Sequence, residues 1–259
     1  MAIPSEVDMR KVKALVLSGY GINCEGEMAH GALLGGAEVT TVHAKAWLLG
    51  KINLLDYQFL LFPGGFSFGD ELGAGKAFAN RISFSGLKDE LLAFIEKGGC
   101  ILGVCNGFQI LVKLGILPGM GSAALIKNEK GRFESRWVHQ NVPPSKSIFT
   151  QGLTELYLPI RHGEGNFVAR NHKLLQKNGQ IALQYTENPN GSILSISGVS
   201  DPTGRVLGMM PHPEAALFFT QRPEWIREKE KMKRSNLPLP KEGPGLALFK
   251  NAINYLGQL

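Results

Sequence analysis

Short runs of consecutive apolar residues alternate, along the first 117 positions, with stretches in which apolar residues recur every three or four positions. Residues 12–17 (Val-Lys-Ala-Leu-Val-Leu), 38–42, 58–62 (Gln-Phe-Leu-Leu-Phe) and 100–104 (Cys-Ile-Leu-Gly-Val) read as strands, the first and last two too apolar for a sheet with a solvated face. Residues 25–34 and 87–97 read as helices; the second has apolar side chains at 87, 91, 92, 94 and 95, and Gly98-Gly99 ends it. A further helix over 107–114 follows the strand at 100–104 almost without a break. Strand and helix alternating in such short units predict an α/β fold with a doubly wound, mostly parallel sheet. Ligands of such sheets sit beyond the carboxyl ends of the strands. Two glycine-rich turns fall there, Phe62-Pro-Gly-Gly-Phe66 and Gly103-Val-Cys-Asn-Gly107.

From about residue 123 the pattern turns β-rich. Segments 132–142, 153–161, 180–185, 192–199 and 205–210 are candidate strands, with Asn188-Pro-Asn-Gly191 as a turn between two of them. They read as additional, partly antiparallel strands of the same domain, so residues 10–259 form a single domain. A charged insertion at about 221–243 would be an exposed helix followed by the stiff Leu237-Pro-Leu-Pro240, and an amphipathic helix over 245–256 closes the pattern.

Composition adds limits. Glycine makes up 32 of 259 residues, about 12% against a usual level of about 7%, with no collagen-like period, so the excess belongs in turns and close backbone approaches. The net charge of +6 raises nucleic acid as a partner. Residues 221–242 alone hold seven Lys/Arg and four Asp/Glu, a surplus of three, and no other basic stripe interleaved with aromatics occurs. Nucleic acid is therefore not expected, nor is a membrane, since about 18 apolar residues never run together. Three cysteines are too few for a disulfide framework, and residues 1–10 lack the apolar stretch of a signal peptide, so a cytoplasmic protein is expected.

The chemistry-bearing residues then stand out. Gly103-Val-Cys-Asn-Gly107 has the form of a nucleophile elbow: a strand runs straight into a helix, the flanking glycines remove bulk, and Cys105 stands alone at the sheet edge. The N–H groups and dipole of a helix N-terminus favour negative charge there. In Pro211-His-Pro-Glu214 the prolines enforce extended backbone around His212, and side chains two apart in extended chain share a side, so Glu214 can orient the imidazole. Nucleophile, base and orienting carboxylate are the three parts of a triad. The oxyanion formed by attack on a carbonyl needs donors. The N–H of Asn106 is one candidate, and Gly65 of the Pro63-Gly-Gly65 turn is the other, with Gly64 as its near alternative. Arg161-His-Gly-Glu-Gly165 reads either as a loop at the substrate pocket or as a surface turn. No spacing typical of a metal site occurs, so no metal is expected, and Cys24 and Cys100 read as structural. Gly19-Tyr-Gly-Ile-Asn-Cys24 lacks the third glycine of a dinucleotide-binding turn.

Cys105 in Gly-Val-Cys-Asn-Gly-Phe-Gln-Ile-Leu, with His212 and Glu214 in Met-Met-Pro-His-Pro-Glu, resembles the triad-type (class I) glutamine amidotransferases. Gly64-Gly-Phe-Ser-Phe-Gly-Asp70, Pro159-Ile-Arg-His-Gly-Glu-Gly165 and Asn188-Pro-Asn-Gly-Ser192 narrow the resemblance, over roughly residues 12–214, to the glutaminase subunits of phosphoribosylformylglycinamidine synthase. The resemblance implies that Cys105 forms a γ-glutamyl thioester and releases ammonia, that His212 moves protons, and that Glu214 orients it. It further implies that Gln109 contacts the bound glutamine and that the loop at Gly163 and Glu164 holds its α-groups. A large synthetase subunit would use ATP and Mg to amidate formylglycinamide ribonucleotide, with a small bridging subunit beside it, and this chain would carry no cofactor. Gly73, Ser195 and Ala215 depart from residues common at those positions, and the stretch at 221–243 is longer than in short members. A glutaminase serving another amidating synthetase and a non-catalytic glutamine-sensing module are the alternatives.

Overall fold

The computed structural model describes residues 11–119 and 123–259; the stretch 1–10, read above for a signal peptide, lies outside them. Eleven strands and eight α-helices are described. The strands are β1 (Lys13–Ser18), β2 (Glu38–His43), β3 (Phe59–Phe62), β4 (Cys100–Val104), β5 (Ala123–Ile126), β6 (Glu134–Asn141), β7 (Glu155–His162), β8 (Asn166–Ala169), β9 (Ile181–Tyr185), β10 (Ile196–Ser200) and β11 (Val206–Met209). The helices are α1 (Glu25–Leu34), α2 (Ala44–Leu48), α3 (Lys76–Phe84), α4 (Leu87–Glu96), α5 (Asn106–Lys113), α6 (His172–Lys177), α7 (Trp225–Arg234) and α8 (Leu246–Gly257).

Nine strands form one sheet in the order β2-β1-β3-β4-β11-β10-β9-β6-β7, and β5 pairs with β8 in a separate antiparallel ribbon. The five strands from β2 to β11 run parallel; from β11 onward each neighbouring pair is antiparallel. The expected mostly parallel sheet with antiparallel additions is therefore present. Every residue of β3, β4 and β11 is buried, as required of central parallel strands covered on both faces. β2, at the edge, keeps no residue fully buried.

A single large apolar cluster unites both faces of the parallel half. α8 buries Leu246, Leu248, Phe249, Ala252, Ile253 and Leu256 on one stripe and packs against α1. Its Asn251 donates to the carbonyls of Phe149 and Gln151 at 2.8 and 2.9 Å, tying the last helix to the turn before β7. The strand order reverses direction between β1 and β3. The loops that leave these two strands, carrying Cys24 and Gly65, therefore face the same crevice as the turn after β4. Among the described residues no helix is long and apolar enough to cross a membrane.

Candidate active site

Cys105 joins β4 to α5 with φ +51° and ψ −103°, a conformation that costs on the order of 1–3 kcal/mol for a residue with a side chain. The neighbouring strands hold it there: its N–H donates to the carbonyl of Met209 on β11 at 2.8 Å. On the other side Gly107 lies so close to the backbone of Phe62 on β3 that any side chain there would overlap it. The thiol, 6% exposed, is directed at the carbonyl of Arg161, 3.6 Å away at the end of β7.

His212 follows β11, and its N–H donates to the carbonyl of Pro159 on β7 at 2.8 Å, which fixes where the ring begins. Nδ1 lies 2.5 Å from Glu214 Oε1, both side chains being almost wholly buried, while Nε2 has no hydrogen-bond partner. Burial alone would strip the proton from the ring. The Glu214 carboxylate, assisted by contacts to Cys105, Cys24 and Glu214 itself, outweighs it and holds the imidazolium well above the usual histidine range. Cys24 Sγ stands 4.0 Å from the same Nδ1, so a residue read as merely structural touches the triad histidine. Cys24, His212 and Glu214 are the one group among the described residues whose donor atoms lie close enough to share a metal ion, all within 4.8 Å of one another. The direct hydrogen bond between Glu214 and His212 already accounts for that proximity.

The two candidate oxyanion donors converge from separate strands. Asn106 opens α5, so its N–H has no intrahelical acceptor. Gly65, at φ +146°, sits opposite Ile22 in a small antiparallel bridge. That bridge uses the N–H of Phe66 and of Asn23 with the carbonyls of Gly21 and Gly64, and leaves the N–H of Gly65 outside it. The Asn106 side chain binds the two turns together: Oδ1 accepts from Ser67 N at 3.2 Å, and Nδ2 donates to Gln109 Oε1 at 3.0 Å and Asp70 Oδ1 at 3.4 Å.

A cavity of about 290 Å³ opens beside the thiol, lined by Cys105, Gln109, Gly163 and Glu164 together with Asp70 and Arg132. Arg161, His162, Gly163 and Glu164 form a wall of this cavity. Gln109 spends both ends on the protein, its Nε2 donating to the carbonyl of Glu164 at 2.6 Å. The Glu164 carboxylate accepts from Ala74 N at 3.2 Å. Burial, with the charge of Glu164 nearby, raises Asp70 above the usual carboxylate range, against hydrogen bonds from Gly75 and Asn106 that pull it down. Lys127, Arg132 and Arg161 line the cavity together with Asp70 and Glu164, charges of both signs that suit a zwitterionic amino acid.

Asn128, which nothing in its local sequence singles out, holds that wall in place. Its backbone N–H donates to Gly163 O at 2.9 Å, and its Nδ2 donates to the carbonyls of His162 at 2.8 Å and Arg132 at 2.9 Å. Its Oδ1 accepts from Gly165 N and from His162 Nδ1, both at 3.0 Å. Burial above all, with the positive His212 nearby, pushes His162 down to about 4, so its ring is neutral at pH 7. Asn190, from the Asn-Pro-Asn-Gly turn, adds a donor to Gly165 O at 2.8 Å.

With this geometry in place, the likeness to known proteins is specific. The CobB/CobQ-like glutamine amidotransferase domain profile matches residues 11–256. The sequence is 42% identical over 267 residues to the phosphoribosylformylglycinamidine synthase subunit PurQ of Methanococcus maripaludis, covering 95% of this chain and 99% of that one. It is 39% identical over 265 residues to the same subunit of Dehalococcoides mccartyi, covering 97% and 100%. In the structure of PurLQS from Thermotoga maritima, one chain superposes with a TM-score of 0.75 at 31% identity, covering 95% of this chain and all of that one.

Proposed function

Because the chain belongs to the CobB/CobQ-like glutamine amidotransferase family, in its PurQ branch, we propose the following reaction for its site. The protein is the glutaminase subunit of phosphoribosylformylglycinamidine synthase, supplying ammonia in purine biosynthesis to the large synthetase subunit, with PurS as the third component. Glutamine enters the charged cavity with its side-chain amide at Cys105. The sulfur attacks the amide carbon, and the developing oxyanion is met by the N–H groups of Asn106 and Gly65. His212 gives its proton to the departing nitrogen, the C–N bond breaks, and ammonia leaves a γ-glutamyl thioester on Cys105. Water then attacks the thioester, His212 takes up its proton, and the C–S bond breaks to release glutamate. Glu214 keeps the ring oriented and its proton in place throughout. The side chains of Gln109 and Asn106 act behind the reacting atoms, holding the Glu164 loop and the Gly64–Asp70 turn against the elbow. ATP and Mg serve the synthetase, and no cofactor is required here. Three free cysteines suit a cytoplasmic enzyme.

The observation that carries this reading is Cys105, held at positive φ in the wall of an amino-acid-sized cavity beside the His212–Glu214 pair. Its test is Cys105→Ser in the assembled synthase. Glutamine-dependent amidation falls by more than about 1,000-fold, while synthesis from added ammonia continues at the wild-type rate. Equal loss of both activities would remove Cys105 from the nucleophile's place.

A further inference from the structure

The turn Gly19-Tyr-Gly21, unsuited to a dinucleotide, lies against the turn that carries the oxyanion donor Gly65. Tyr20, Phe68 and Asp70 have φ of +56°, +55° and +54°, left-handed values that residues with side chains keep only where their surroundings hold them. The two backbones are joined: Phe68 N–H donates to the carbonyl of Tyr20 at 2.6 Å, Phe66 N–H to that of Gly21 at 2.9 Å and Asn23 N–H to that of Gly64 at 3.2 Å. The Tyr20 and Phe68 rings stack, their centroids 4.5 Å and their planes 22° apart. α3 covers the stack. Its buried Phe78 meets the two rings edge-on at 6.3 and 6.2 Å. Arg81, three residues along the same helix face, brings its guanidinium to 5.6 Å from the Tyr20 centroid and 4.9 Å from that of Phe68. Among the described residues no carboxylate forms an ion pair with Arg81.

We infer that Arg81 is a positioning residue for glutamine hydrolysis: it closes the Tyr20–Phe68 stack and thereby keeps the Gly65 N–H aimed at the oxyanion. The inference rests on the glutaminase reading. The Ile22–Gly65 bridge takes one residue from each turn, so the direction of the Gly65 N–H follows how the two turns sit on each other. Asn106 fixes the inner side of the Gly64–Asp70 turn through Ser67 and Asp70. On the outer side, the half-buried rings of Tyr20 and Phe68 join it to the other turn. A planar, weakly hydrated guanidinium is the cation best suited to lie on such rings, and with no acid beside it the charge is free to do so. Arg81 stays outside the glutamine cavity. The oxyanion exists only after the sulfur has attacked, so loosening the stack weakens transition-state stabilisation and leaves glutamine binding in place.

Arg81→Ala in the assembled synthase tests this. The kcat for glutamine-dependent amidation should fall about two- to fivefold, the range of a partly exposed cation–ring contact. The KM for glutamine should stay within about twofold of wild type, and synthesis from added ammonia should not change. Arg81→Lys, which keeps the charge but not the planar fork, should recover part of the loss. In a Phe68→Leu background, Arg81→Ala should cost less than in wild type, because the ring nearest the guanidinium is gone and the two changes no longer add. If Phe68→Leu does not assemble, Tyr20→Leu supplies the same comparison. An unchanged kcat in Arg81→Ala, equal costs in the two backgrounds, or a raised KM with kcat intact would overturn the assignment. A wild-type complex that uses ammonia but not glutamine would instead overturn the glutaminase reading beneath it.

Discussion

Asn128 shows how a residue that never meets the reacting atoms can set the shape of a substrate pocket. Its amide joins three backbone or ring groups of the loop that carries Gly163 and Glu164 to the carbonyl of Arg132, and its own N–H takes a fifth group. Asn128→Ala leaves the carbonyl of His162 and the N–H of Gly165 without buried partners, so the loop shifts. A displacement on the order of 1 Å costs roughly 10- to 100-fold in reactions that depend on alignment, and here it should appear as a raised KM for glutamine. A small alkylating reagent should still label Cys105 at the wild-type rate, whereas a glutamine-shaped electrophile should label it more slowly. Equal slowing of both would place the damage at the elbow instead. The residues with chemistry of their own were legible in the sequence: a cysteine between glycines and a histidine between prolines stand out without any fold. Asn128 was not, because an asparagine inside Lys-Asn-Glu-Lys has the composition of any polar turn. Its importance arises only when residues 128 and 162–165 meet in space. The contact of Cys24 with His212 is hidden for the same reason, since nothing local reveals that the loop after β1 ends against His212.

At the scale of elements, the elbow is a three-body contact between β3, β4 and α5. Gly107 lets the first turn of α5 rest on the carbonyl end of β3, and Gly103 leaves room for the same turn from within β4. Gly107→Ala should therefore lower stability by about 1–3 kcal/mol, read as a drop in the denaturant midpoint. It should lower glutamine turnover further than that loss of stability explains, because α5 and the Asn106 N–H move away from the sulfur. Wild-type turnover in a destabilised variant would mean that the helix can shift without disturbing the site. The apolar runs of β1, β3 and β4 were readable because central parallel strands are buried on both faces. β5 and β8 escaped notice: four-residue strands, one of them beginning at Asn166, carry too little periodicity to separate from turns. α3 was also missed, as its buried Phe78, Ala79 and Ile82 are spread among Lys, Asn, Arg and Ser.

For the molecule as a whole, the charged segment after the triad behaves as an attachment. α7 buries none of its residues. Its anchors are the Tyr157 hydroxyl donating to Glu224 at 3.2 Å, the Arg222 guanidinium 5.5 Å above the Tyr157 ring, and the Arg222–Glu228 ion pair. Partly exposed contacts of this kind are worth on the order of 1 kcal/mol each at most. The chain ends on either side already meet, Phe219 N donating to Lys241 O at 3.2 Å. Replacing residues 223–239 by a short Gly/Ser linker should therefore shift the unfolding temperature by less than about 5 °C; a larger fall would show that the segment supports the sheet. The sheet itself has a history written into its strand order. β4 and β11 are neighbours, yet 101 lies opposite 206, so the seam between them closes only after most of the polypeptide is made. At 5–20 residues per second, about 5–20 s of translation separate Cys105 from His212. A nascent chain on the ribosome thus displays a cysteine without its base, inert toward glutamine, and hydrolysis becomes possible only at the moment that the seam is zipped.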